Sequence, residues 1–276
     1  MIRRLFPRGK GKAFNISYDD GVTQDIRFVE LLNRYGLKGT FNLNSQLMES
    51  GFEWVHECGM TVRRLTPQQA AELYSGHEVA SHTLTHPYMD ELSRQEILHQ
   101  MGTDKENLEQ IFQREIRGFA VPFLYYSDLI ARCAREAGFE YARVSEESNS
   151  YEVPGDYYWW KGGKFHWDAG LEEYVDGFLQ TDSELALCQI VGHSYDLDAE
   201  NMWDRMEAIL AKISGDEDVL PMTNLEIVRY MRAMEMADIS DEKIVNHSKA
   251  ELWFRVDGET VALRPGCTLS LGQEEP

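Results

Sequence analysis

The feature that most constrains the fold is a repeated alternation of short apolar runs with helical stretches. Residues 12–18, KAFNISY, read as a strand. Phe28, Leu31, Leu32 and Tyr35 follow at i, i+3, i+4 and i+7, which is one face of a helix. Gly36 ends that helix, and 38–43 reads as a second strand. Further strand candidates lie at 78–81, 117–121, 139–143, 187–192 and 219–222. Helix starts between them carry capping boxes, Thr66 with Gln69, Ser93 with Glu96 and Thr223 with Glu226. Strand–helix alternation of this kind implies an α/β fold with a parallel sheet or barrel. In a barrel, chemistry gathers at the C-terminal ends of the strands. A length of 276 residues is large for one domain but normal for such a barrel, and 43% hydrophobic content supports a sizeable core.

After about residue 237 the texture changes. AELWFRVDGETVALRPGCTLSL alternates apolar and polar residues around Asp257-Gly258 and Pro265-Gly266, and Asp-Gly between alternating runs is a hairpin signal. The expected organisation is therefore a barrel over residues 1–237 and a small β extension over 238–276. Packing against the barrel is the favoured role for the extension, with carbohydrate binding as the alternative.

Charge narrows the partners. Lys and Arg total 27 against 47 Asp and Glu, a formal charge of −20. Such a chain repels phosphate backbones and anionic lipid surfaces, so neither nucleic acid nor membrane is expected as a partner. Cys58, Cys133, Cys188 and Cys267 form no CxxC pair and read as reduced thiols. The basic start MIRRLFPRGK leads into no apolar run, and no run approaches membrane-helix length, so a cytoplasmic location is expected. The oligomeric state is not legible.

Three groups of residues can carry chemistry. Tyr18-Asp19-Asp20-Gly21 closes the first strand, where one carboxylate can bind a cation while its neighbour faces a water; a solvated Asx turn is the bland alternative. His82-Thr83-Leu84-Thr85-His86 follows the 78–81 strand. Two imidazoles plus a carboxylate make a zinc site with an open position, although two unrelated surface histidines would look the same. Pro87 argues for a loop, and Thr83 stands where an HExxH helix needs Glu. Val191-Gly192-His193 closes a late strand, where a lone histidine is usually structural.

In combination these groups resemble the polysaccharide deacetylase family (NodB homology, carbohydrate esterase family 4). Ser17-Tyr18-Asp19-Asp20-Gly21 is similar to its first motif, His82 to His86 to its second, Phe119-Ala120-Val121-Pro122-Phe123 to half of its third, and Gln189-Ile190-Val191-Gly192-His193 to its last. The resemblance spans roughly residues 12–235. It implies a distorted (β/α) barrel of seven or eight strands, and hydrolysis of an acetyl group from an N- or O-acetylated saccharide. It also implies metal ligation by Asp20, His82 and His86, with Asp19 as general base, His193 as general acid and Thr83 bracing the loop. Zinc is the default metal, with cobalt, nickel or manganese as other fits. The Phe123 backbone N–H is expected to hold the oxyanion, and Tyr18, Trp160 and His166 are expected to line the substrate site.

Two departures from the family pattern matter. Its third-motif arginine is Ala120 here; Arg143 at the end of the neighbouring strand is the best candidate to replace it beside Asp19, with a surface pairing to Glu146 or Glu147 as the bland alternative. Its Asp-Trp motif, which tunes the histidine, has no convincing match, although Trp159-Trp160 and His166-Trp167-Asp168 lie in the right region. The aromatic run Tyr157 to Trp160 either stacks on sugar or packs in the core. The competing functions are an allantoinase-like amidohydrolase and a catalytically degenerate carbohydrate-binding relic.

Overall fold

A computed structural model describes residues 1–271. Its central strand, Lys12–Asp19, has alternating faces. Phe14, Ile16 and Tyr18 enter the main apolar cluster with Phe28, Leu31 and Leu32 of helix Asp25–Arg34, and Tyr18 stacks on Phe28 at 4.2 Å. The other face is polar and points inward. There Asn15 Oδ1 accepts from Gln189 at 2.8 Å and Ser17 Oγ accepts from Asn42 at 3.0 Å. These buried polar groups are mutually hydrogen-bonded, as burial requires.

Around this strand the sheet is parallel. Ala186–Gly192 pairs along one side, while Val219–Pro221 and then Gly39–Leu43 share the other. Glu78–Ser81, Gly118–Ala120 and Tyr141–Val144 continue the curl. Trp160–Lys161 pairs with Tyr141–Val144, and Lys164–Phe165 pairs with Ala186–Gly192. These last two strands are consecutive in the chain, so the stretch 160–165 bridges the two edges of the sheet. A Cβ at Gly163 would lie 1.9 Å from the Gln189 carbonyl oxygen, so this bridge needs glycine there. The result is the distorted (β/α) barrel implied by the sequence.

The capping boxes at Thr66, Ser93 and Thr223 are all present. Helix Asn224–Glu235 starts at the N-terminal mouth of the barrel: Asn224 Oδ1 accepts from Gln189, and the Leu225 N–H donates to Glu78 at 2.9 Å. The residues at 157–160 pack rather than line a cleft. The Tyr158 hydroxyl donates to the Phe139 carbonyl, Trp159 meets Tyr126 edge-on, and Trp160 is buried against Tyr141.

At the C-terminal end, Leu252–Val256 and Glu259–Leu263 form a hairpin about Asp257-Gly258, both in the left-handed region. The first residues, counted with the barrel in the sequence, join this unit: Ile2–Leu5 pairs antiparallel with Leu252–Val256. Ala237–Ile239, Lys243–Asn246 and Thr268–Ser270 make a second small sheet. Phe6, Ile244, Leu252, Phe254 and Leu263 bury an apolar cluster shared with Tyr230, Met231 and Met234 of the last helix. A further hairpin, Glu53–Val55 with Thr61–Arg63, stands beside the C-terminal mouth. Among the described residues no helix is long and apolar enough to cross a membrane.

Candidate metal centre and active site

Asp20 directly follows the central strand and lies in the left-handed region (φ 86°), with its N–H donating to the Asn42 carbonyl at 2.9 Å. Thr83 and His86 also have positive φ, 70° and 56°. Non-glycine residues rarely adopt this conformation, and three of them here mark a backbone held in place by its surroundings. The restraints are identifiable: the Thr83 hydroxyl accepts from the His86 N–H at 3.1 Å, and the Asn44 side chain donates to the Thr83 and His82 carbonyls.

These turns bring Asp20, His82 and His86 together, with one ligand atom from each within 4.8 Å of the others. The His82 Nδ1–H donates to the Ala120 carbonyl at 2.9 Å, which leaves Nε2 available. His86 Nε2 lies 3.8 Å from Asp20 Oδ1. Burial pulls His82 down to about 4 and lowers His86, so both imidazoles are neutral at pH 7 and keep a lone pair to offer. Burial alone would raise the Asp20 carboxyl, but Arg64 and the nearby histidines outweigh it and hold it ionised. Two neutral imidazoles and one carboxylate facing a common point fit a divalent ion with an open coordination position.

Asp19 is buried beside this trio. Arg143 hydrogen-bonds its Oδ1, and Asn42 donates to the same oxygen at 2.7 Å. Burial would raise this carboxyl too, but Arg143 first, then His82 and His193, hold it below the usual carboxylate range. Arg143 is itself 1% exposed, so the pair is a desolvated one and fixes the carboxylate in one orientation.

Across the cleft, the His193 Nδ1–H donates to Asp196 Oδ2 at 2.9 Å. The ring lies near-parallel between Trp167 (5.9 Å) and Tyr195 (4.9 Å). Burial acts to lower its pKa, but the Asp196 hydrogen bond and the charges of Asp20 and Asp19 prevail and raise it. Asp196 also lies 3.7 Å from His56 Nε2 and 3.8 Å from His166 Nε2. A Cβ at Gly192 would meet the His166 ring at 2.0 Å, so glycine permits that close approach. The Ser194 hydroxyl donates to Asp25, whose other oxygen accepts from Tyr74, tying the His193 loop to the first helix.

The sequence-expected groups other than Trp160 stand at or just beyond C-terminal strand ends, but not all of them can reach a substrate. Tyr18 is fully buried, because its side chain alternates outward into the helix layer against Phe28. Trp160 is 1% exposed and fills the core beside Tyr141. His166 is 1% exposed and lies behind Trp167 and Tyr18, so it backs the site rather than lining it. Phe123 is partly exposed at φ 59°, with its ring 4.6 Å from His86 and stacked on Tyr88, and its N–H donates no hydrogen bond among the described residues.

Four contributors were not anticipated. Asn42 and Arg64 come from a strand and a hairpin end without a motif. Tyr195 donates to Asp20 at 3.3 Å. Asp196 stands three residues after His193, a helical spacing that a search for a histidine partner could have found.

Residues 7–142 match the family described as polysaccharide deacetylase. In fold, the chain is similar to a Mycobacterium smegmatis protein assigned to the polysaccharide deacetylases. That match has 13% identity, 84% of this chain, 94% of that one and a TM-score of 0.58. It is also similar to a mutant of BA3943 from Bacillus anthracis, described as a CE4 family pseudoenzyme with restored enzymatic activity (16% identity, 82% and 70% covered, TM-score 0.53). Against the deacetylase PplD of Streptococcus pyogenes the match has 22% identity and a TM-score of 0.43; it covers 48% of this chain and spans only 55% of that protein. No curated protein matches the chain. Residues 7–142, just under half of the chain, are a polysaccharide deacetylase family region that covers both of the family's leading motifs.

Proposed function

We propose that this protein is a metal-dependent deacetylase that hydrolyses an acetyl group from an N- or O-acetylated saccharide. The observation that carries the reading is the pairing of Asp19, gripped by Arg143 and Asn42, with the adjoining Asp20–His82–His86 trio. Asp20, His82 and His86 would hold a divalent ion, zinc by default, with cobalt, nickel or manganese also suited. Bound there, such an ion supplies Lewis acidity that acidifies water and polarises the acetyl carbonyl.

The chain's own residues divide the remaining work. Asp19, kept ionised and oriented by Arg143, accepts the proton of the attacking water. The unpaired Phe123 N–H is a donor for the oxygen on which charge develops. His193, supported by Asp196, gives a proton to the departing nitrogen or oxygen, and the products are acetate and a free amine or alcohol. That donation matters most for amides, since an unprotonated amine is a very poor leaving group.

The test is acetate release from N-acetylglucosamine oligomers by purified protein supplied in turn with each of the four metals, with allantoin as the control substrate. Asp19→Asn should lose about 10²-fold or more in kcat while keeping its metal. No turnover of any acetylated substrate with any metal would sink the reading. Turnover of allantoin alone would replace it with a cyclic amidohydrolase.

A further inference from the structure

Beside His193 the mouth of the barrel opens into a second space. An open cleft of about 430 Å³ is bounded by Trp54, His56 and Glu57 of the Glu53–Arg63 hairpin, and by Trp167, Tyr195 and Glu200 facing them. The aromatic rings are arranged as walls: Trp54 meets Tyr195 edge-on at 5.3 Å, and the partly exposed Trp167 lies near-parallel to His193. The hairpin is held against the catalytic floor. Arg64, at its end, hydrogen-bonds Asp20 and lies 5.1 Å from the Trp54 ring. The Arg63 carbonyl accepts from the Thr23 N–H at 2.9 Å.

Carboxylates dominate the charge of this cleft, with His193 at its inner wall. Its lining holds Glu57, Glu200 and Asp196 and no lysine or arginine. Asp196 is engaged by His193 and lies near His56, whereas Glu57 and Glu200 form no ion pair among the described residues and stand exposed. Aromatic faces suit the apolar face of a pyranose ring, and unpaired carboxylates suit an ammonium group on that ring. A neighbouring ring bearing a carboxylate or phosphate would meet repulsion here. On the other side, Tyr88, Phe123, Leu124 and Tyr125 present exposed apolar surface.

We infer that the cleft is a subsite for a cationic amino sugar adjoining the acetylated ring, so that the favoured substrate is a partly de-N-acetylated amino-sugar oligomer. This rests on the deacetylase reading for the identity of the adjoining ring, but its recognition step does not require turnover. The subsite binds the free amine in its protonated form, and it distinguishes that ring from its acetylated and carboxylated counterparts by charge.

The experiment has a binding arm and a turnover arm. In the first, metal-free full-length protein is titrated with the glucosamine disaccharide and with the N,N′-diacetylated disaccharide at low salt, read by calorimetry and tryptophan fluorescence. The amine should bind about 3- to 10-fold more tightly, the range given by one or two exposed ion pairs, and the advantage should shrink as salt rises. Glu57→Gln with Glu200→Gln should bring the two affinities together, while Trp54→Ala should weaken both and leave their ratio standing. In the second, kcat/KM is compared for N-acetylglucosamine linked to a ring carrying a free amine, an acetamide or a carboxylate, and the amine should lead and the carboxylate trail. Equal binding of the two disaccharides, or a ratio unmoved by the double variant, overturns the subsite. Preferential amine binding that survives an absence of all deacetylation would instead sink the catalytic reading and leave the subsite in place.

Discussion

On one side of the cleft, Asp20, His82 and His86 stand on two turns whose backbones are forced into the left-handed region and held there by Thr83, Asn44 and Asn42. On the other, His193 leans on Asp196 and lies between Trp167 and Tyr195, with about a quarter of its side chain exposed. The first side is local: the residues that matter sit within two short stretches, and their geometry depends on specific φ angles. The second is assembled from segments near 56, 166 and 195, joined by packing and by one shared carboxylate. A turn that must fix ligand atoms to a few tenths of an ångström tolerates little sequence change. An acid that needs only a proton and a partner can be supported from more than one place in the fold.

The comparison breaks first at the metal side. His86→Ala should abolish tight metal binding and reduce acetate release to background, because two remaining ligands rarely hold a divalent ion. Elemental analysis of the purified variant checks it, and full occupancy would show that the trio is not the ligand set. His82→Ala should behave alike, since its Nε2 is the free nitrogen once Nδ1 is engaged by Ala120.

A smaller effect belongs to the other side. Asp196→Asn should cost about tenfold or more on amide substrates and much less on activated aryl acetates, which leave without a proton. The pH profile gives the sign. In the proposed mechanism His193 works protonated, so activity should fall as pH rises through its pKa, and Asp196 raises that pKa. Replacing Asp196 therefore moves the alkaline limb of kcat to lower pH, with metal content unchanged. An unmoved limb, or equal losses on both substrate types, would remove Asp196 from the acid's support.

What could be read from the sequence follows the same division. The alternation of strands and capped helices was enough for the barrel, because each helix start carries its own chemistry and each strand its own burial pattern. Asp19-Asp20 and His82 to His86 are visible because each group falls within one short stretch of chain. The 160–165 bridge was not, since two residue pairs on either side of Gly162-Gly163 show no periodicity. Nor was the Glu53–Arg63 hairpin, whose three-residue strands are mostly exposed. Tyr18 and Trp160 were misplaced for one reason: a residue type that stacks well on sugar also fills a core, and only the direction of the side chain decides. The Arg143–Asp19 contact could be anticipated because neighbouring parallel strands put their ends side by side. Asp196 carries no motif of its own, since the family's histidine-tuning Asp-Trp pair corresponds to a region upstream, among the tryptophans.

The smallest effect concerns what lies beneath the metal side. Asp104, fully buried in helix Arg94–Phe112, accepts from the Ser45 N–H at 2.7 Å and bonds the Ser81 hydroxyl at 2.6 Å, directly before His82. Burial raises its carboxyl to about 7, although these hydrogen bonds act to lower it. The folded state therefore holds this proton more tightly than the unfolded chain does. Its contribution to stability is complete below the ordinary aspartate range and is lost as pH rises toward about 7. Asp104→Asn keeps an acceptor for the Ser45 N–H, meets the Ser81 hydroxyl with an N–H donor in place of the second oxygen, and has no proton to lose. In metal-free protein, the Tm of Asp104→Asn relative to the parent should climb by several degrees between pH 5 and pH 8, a difference of a few kcal/mol at about 1.4 kcal/mol per pKa unit. A Tm gap that stays constant across that range would mean that Asp104 is ionised throughout, and that the metal-side turns rest on a charged carboxylate rather than a neutral acid.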